Sequence, residues 1–93
     1  MDRAELPALL ATTAQAHHQA FIETAGEDPE WPMWYAGYMQ EDLNRILGTS
    51  LTKSDLVFHL VDLERLRVGD APDSPWPEFY ASRLVARLDA GDL

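Results

Sequence analysis

Two passages of the chain align without a gap: DPEWPMWYAGYM, from Asp28 to Met39, and DSPWPEFYASRL, from Asp73 to Leu84. At a constant offset of 45 positions, Trp31 pairs with Trp76, Pro32 with Pro77, Trp34 with Phe79, Tyr35 with Tyr80, Ala36 with Ala81 and Met39 with Leu84. Any fold must accommodate the same local device twice. Proline lacks an N–H and has a fixed φ, so it suits the first turn of a helix, where the N–H would have no partner anyway. It also disfavours helical backbone in the residue before it, which predicts that Trp31 and Trp76 lie in extended chain just outside their helices. A tryptophan there can fold back over its own helix, as a hydrophobic staple does, with Tyr35 or Tyr80 one turn on as the contact.

The segments between these motifs read as helices too. Over Arg3 to Ala25, Leu6, Leu10, Ala14, His17 and Phe21 share one face, and Gly26 supplies a stop. Over Pro32 to Leu47, Tyr35, Met39, Leu43 and Ile46 face inward, while Gln40, Glu41, Asn44 and Arg45 face water. Thr52 and Asp55 have the spacing of a capping box ahead of a third helix, Lys53 to Val68, with a stripe of Leu56, Leu60, Leu63 and Arg67. The run LVFHLV within it could be a buried strand, but the cap and the polar spacing that follows favour a helix. A fourth helix, from Pro75 or Pro77 to Asp89, carries Tyr80, Leu84 and Leu88. The expected fold is all-α: one four-helix domain over 1–93, built from two helical hairpins with an approximate internal repeat.

Composition limits the function. With 46 % hydrophobic and 10 % aromatic residues the chain is too apolar to remain disordered. A net charge of −9 leaves no basic stripe to displace counterions, so nucleic acid and anionic membrane are not expected partners. Apolar runs fall short of the roughly 18 residues of a transmembrane helix. The N-terminal segment lacks the positive charge of a signal peptide, and the chain has no cysteine, which together suggest a cytoplasmic protein.

No nucleophile motif, phosphate-binding glycine loop or cysteine metal set is present, so no catalytic residue, metal or cofactor is predicted and the chain reads as non-enzymatic. Adjacent His17 and His18 diverge by about 100° on a helix and cannot form the i, i+4 pair of zinc helices. Repetition of the aromatic motif favours packing over a unique site, leaving Trp34 and Tyr38 at the edge of the inward stripe. The third helix is apolar on several sides through Val57, Phe58 and Val61, and surplus apolar surface on a small domain marks an interface. The sequence therefore predicts a homodimer that also binds a protein partner, with Trp31, Trp34, Tyr35, Tyr38, Val57, Phe58 and Val61 as contact residues. The competing reading is a small-molecule or metal site performing acid–base work around His17, Tyr35 and Asp42. Gly37, within the second helix, suggests a close backbone approach by a neighbouring element.

The string GEDPEWPMWYAGYM, followed by LTKSDLVFHLVDLE and APDSPWPEFYA, resembles a group of small bacterial proteins to which no function is assigned. The likeness spans His17 to Arg83. It implies a compact helical domain and brings no catalytic residue with it.

Overall fold

A computed structural model describes residues 3–93, and within them lie α1 (Glu5–Ala20), α2 (Trp31–Leu47), α3 (Lys53–Asp70) and α4 (Trp76–Ala90), with a 3-10 turn over Ile22–Thr24. The expected all-α, four-helix architecture is present, and no strand forms among the described residues: LVFHLV lies inside α3. Each helix packs on its two neighbours, α1 on α2, α2 on α3, α3 on α4 and α4 back on α1. At their centre Leu6, Leu10, Met39, Leu43, Leu56, Leu60, Leu63 and Leu84 are fully buried. Among the described residues no helix is long and apolar enough to cross a membrane.

Local chemistry explains the boundaries. The first helical segment stops at Ala20, short of the expected Ala25, because the chain tightens into the 3-10 turn and then takes left-handed backbone at Ala25 (φ 56°) and Gly26 (φ 84°). The predicted capping box opens α3: Thr52 Oγ1 accepts from the Asp55 N–H at 3.0 Å, and Asp55 Oδ2 accepts from the Thr52 N–H at 3.0 Å.

Trp31 and Trp76 are the first helical residues, with Pro32 and Pro77 second, one position inside the expected place. Tertiary contacts of the two indoles outweigh the local disfavour of helical backbone before proline. On α1 Thr13 is fully buried and His17 nearly so, whereas Ala14 is only half-buried. The Thr13 hydroxyl is satisfied by donating back to the Leu9 carbonyl at 2.7 Å.

Gln40 and Asn44, expected to face water, instead anchor the α2–α3 connection. Asn44 Nδ2 and Gln40 Nε2 donate to the Leu51 carbonyl at 3.0 and 3.1 Å. Asn44 Oδ1 accepts from the Thr49 hydroxyl at 2.7 Å and the Leu51 N–H at 3.0 Å. These bonds satisfy the backbone of a loop that must bury Leu51 against the core.

Candidate functional site

The twin motifs meet. Trp31 packs edge-on against Tyr35 with centroids 5.4 Å apart at 81°, and Trp76 packs on Tyr80 at 5.0 Å and 67°. The staple expected of each copy therefore exists, and Tyr35 against Trp76, at 5.9 Å and 61°, links the two copies into one run of four rings. With Glu64 and Arg67 of α3 these rings line a cavity of about 150 Å³.

Three polar side chains are locked together at its wall. Arg67 Nε and Nη2 donate to the two oxygens of Glu64 at 2.8 Å each, and the Tyr80 hydroxyl donates to Glu64 Oε1 at 2.9 Å. Arg67 Nη1 also donates to the Pro72 carbonyl at 3.2 Å, fixing the guanidinium to the α3–α4 loop. The Arg67 hydrogen bonds hold the Glu64 carboxyl below its ordinary range against the opposing effect of burial. Burial, then the bond to Glu64, push the Tyr80 hydroxyl well above its ordinary value, and burial raises that of Tyr35. Both phenols stay protonated at neutral pH.

Against the other side of Tyr35 lies His17. Its ring centroid stands 5.0 Å from that of Tyr35, 5.1 Å from Trp34 and 4.7 Å from Phe21. Nε2 donates to Asp28 Oδ2 at 3.1 Å, and both side chains are nearly enclosed. Asp28 Oδ1 meanwhile accepts from the Glu30 N–H at 3.0 Å, turning the chain into α2. His17 and Tyr35 of the proposed acid–base trio are thus brought together, but Asp42 is not. Asp42 lies farther along α2, half-exposed and paired with Arg45 at 3.1 Å, so the carboxylate beside His17 is Asp28. With its rim covered by rings and Nε2 engaged, His17 pins the α1–α2 connection. Among the described residues no three His, Asp or Glu side chains cluster so as to hold a metal ion.

The remaining predicted contact residues form two separate surfaces. Trp34 and Tyr38 stack nearly parallel, centroids 5.3 Å apart at 11°, with Trp34 half-buried on His17 and Tyr38 exposed beside α1. On α3, Val57 is half-buried, whereas Phe58 and Val61 stand out at 64 % and 49 % exposure. With Asp62 and Arg65 they line a shallow hollow of about 360 Å³.

Beneath that face lies a cluster that the sequence does not signal. Arg87 of α4 donates from Nη1 to Nδ1 of buried His59 at 2.7 Å, and from Nη2 to Asp62, which Arg65 also contacts. Burial and the adjacent Arg87 charge push the His59 pKa down, and Asp55 and Asp62 only partly oppose this. The Arg87 hydrogen bond, joined by that of Arg65, holds Asp62 below the ordinary carboxylate range. Trp76, Tyr80, Glu64 and Arg67 were likewise not singled out as site residues. The 45-residue offset carries the signal for the first two, since it makes them counterparts of Trp31 and Tyr35.

No protein-family model, no curated protein and no solved structure matches this chain.

Proposed function

We propose that the protein is a non-enzymatic helical interaction domain that self-associates through the outer face of α3. The observation that carries this reading is the spacing of that face. Ser54, Phe58, Val61, Arg65 and Val68 are all exposed and follow each other at intervals of four, three, four and three residues. This is the a/d spacing of a coiled coil, with Phe58, Val61 and Val68 as its apolar members, turned outward from a domain whose core is made by other faces of the same helix.

A second copy is the natural occupant. An antiparallel two-fold pairing centred near residue 63 sets Phe58 of each copy on Val68 of the other and Val61 against the aliphatic stem of the other copy's Arg65, so one patch complements itself. The seam from Ser54 to Val68 is roughly 21 Å long at about 1.5 Å per residue, some two heptads. That length supports a weak dimer, and a protein partner with an amphipathic helix would compete for the same seam. The absence of cysteine and of basic patches fits a reducing, cytoplasmic setting.

Light scattering after gel filtration tests the reading. At tens of micromolar the mass should be twice 10.5 kDa, and Phe58→Asp, on an exposed position, should return it to one chain without lowering helicity. A single-chain mass for the unmodified protein at that concentration would refute self-association.

A further inference from the structure

We infer that the aromatic cavity between the two motif copies binds a small alkylammonium cation. Its walls are Trp31, Tyr35, Trp76 and Tyr80, each ring meeting the next at 61° to 81°, so that consecutive rings form corners instead of one flat stack. Aromatic faces carry negative potential, and such boxes are the usual way proteins hold methylated ammonium groups. The pocket opens to solvent, and its volume of about 150 Å³ is on the scale of a benzene-sized guest, which suits three or four methyl groups around one nitrogen.

The polar wall is the Glu64–Arg67 ion pair, which carries no net charge, so the preference for a cation comes from the ring faces and from one free acceptor position. Glu64 Oε1 already accepts from Arg67 Nε and from the Tyr80 hydroxyl, but Oε2 accepts only from Arg67 Nη2. A carboxylate oxygen takes two donors, so one acceptor position remains on a side chain that is 34 % exposed. Arg67 is committed to Glu64 and to the Pro72 carbonyl and is poorly placed to receive an anion. The net charge of −9 adds a field that draws cations. A tertiary ammonium fits best, its methyl groups on the rings and its N–H donating to Glu64 Oε2.

The cavity shares no residue with the outer face of α3, so the two readings stand or fall separately. The test follows the three indole N–H signals in ¹H–¹⁵N spectra while trimethylammonium chloride is titrated at fixed ionic strength. The signals of Trp31 and Trp76 should move together and saturate, while that of Trp34 stays. Tetramethylammonium should bind several-fold more weakly, for want of the N–H. Neutral tert-butanol should bind at least tenfold more weakly. Trp31→Leu should weaken trimethylammonium binding at least tenfold, and Trp31→Phe, which keeps a ring wall, only several-fold. Phe58→Asp should leave it unchanged. Shifts that stay linear with concentration, equal responses to potassium chloride or tert-butanol, or saturation by acetate instead would each overturn the inference, and these readouts need no variant to fold.

Discussion

Gly37 lies in the interior of α2, on its exposed side, and glycine there is unfavourable relative to alanine by about 0.8–1.0 kcal/mol. The sequence suggests that a neighbouring backbone demands it. The structure shows otherwise: a Cβ built at Gly37 would meet only the Lys53 side chain, Nζ at 3.6 Å and Cε at 3.7 Å, which is ordinary contact with a flexible group. Gly37→Ala should therefore stabilise the protein by nearly the full propensity difference. For a domain of this size about 1 kcal/mol raises Tm by roughly 4–8 °C. If the urea m-value lies near about 1 kcal/mol/M, at the low end for small proteins, the midpoint rises by about 1 M.

Urea melts followed by circular dichroism at 222 nm measure this directly. Gly26→Ala provides a control of opposite sign, since Gly26 has φ +84° and its added Cβ would sit 3.0 Å from His18 Nδ1. An unchanged or lowered midpoint for Gly37→Ala, at constant m, would refute the reasoning. It would mean that something other than Lys53 presses on this face, and the neighbouring Trp34 and Tyr38 would become the first suspects for an interface.

The other predictions test separate parts of the structure. Asn44→Ala removes one donor and one doubly used acceptor from the α2–α3 loop; it should cost about 2–3 kcal/mol, seen as a Tm loss of roughly 10–20 °C. Thr52→Ala breaks the capping box and should cost about 1 kcal/mol in the same melts. Ala25→Gly relieves left-handed backbone at φ 56° and should gain about 0.5 kcal/mol after the greater freedom of glycine in the unfolded chain is offset. His59 resists protonation when folded, whereas the unfolded chain takes up that proton near pH 6.5. Below about pH 6.5 the unfolded state therefore holds more protons, and stability falls as pH drops until the depressed folded value is passed. His59→Gln, which keeps an acceptor for Arg87, should flatten the urea midpoint between pH 7 and 5; parallel slopes for both proteins would contradict this.

The four helices were legible because their signals are local and periodic: the leucine stripe of α3, the Thr52–Asp55 box, and proline near the start of α2 and α4. What was illegible depends on chain segments far apart in sequence. Asn44 looks like a solvent-facing helix residue until the loop carrying Leu51 folds back onto it. The hydrogen-bond partner of His59 is invisible in the sequence, because Arg87 is 28 positions away. No sequence spacing ties Asp42 to His17, and the turn at Asp28 brings a nearer carboxylate from outside α2. Helical periodicity describes one helix face and is silent on what a connection delivers to it.

The repeat makes the same point for the candidate ligand site. Each motif copy, taken alone, accounts for one stapled tryptophan and tyrosine, and packing exhausts it. Only when α2 and α4 both start beside the same cavity do the two staples become four walls, closed by Glu64 and Arg67 from a helix outside either copy. Two copies of one structural device can thus line a pocket that neither copy forms alone. The copies are not equivalent, because Asp28 is enclosed against His17 while its counterpart Asp73 is exposed. The wall formed by Trp31 and Tyr35 is therefore braced from behind by His17, and the wall formed by Trp76 and Tyr80 is held by the hydrogen bond from Tyr80 to Glu64. Loosening His17 should consequently disturb the first wall more than the second, so that in His17→Ala, beyond the Trp34 signal that His17 touches directly, the Trp31 indole signal moves more than that of Trp76.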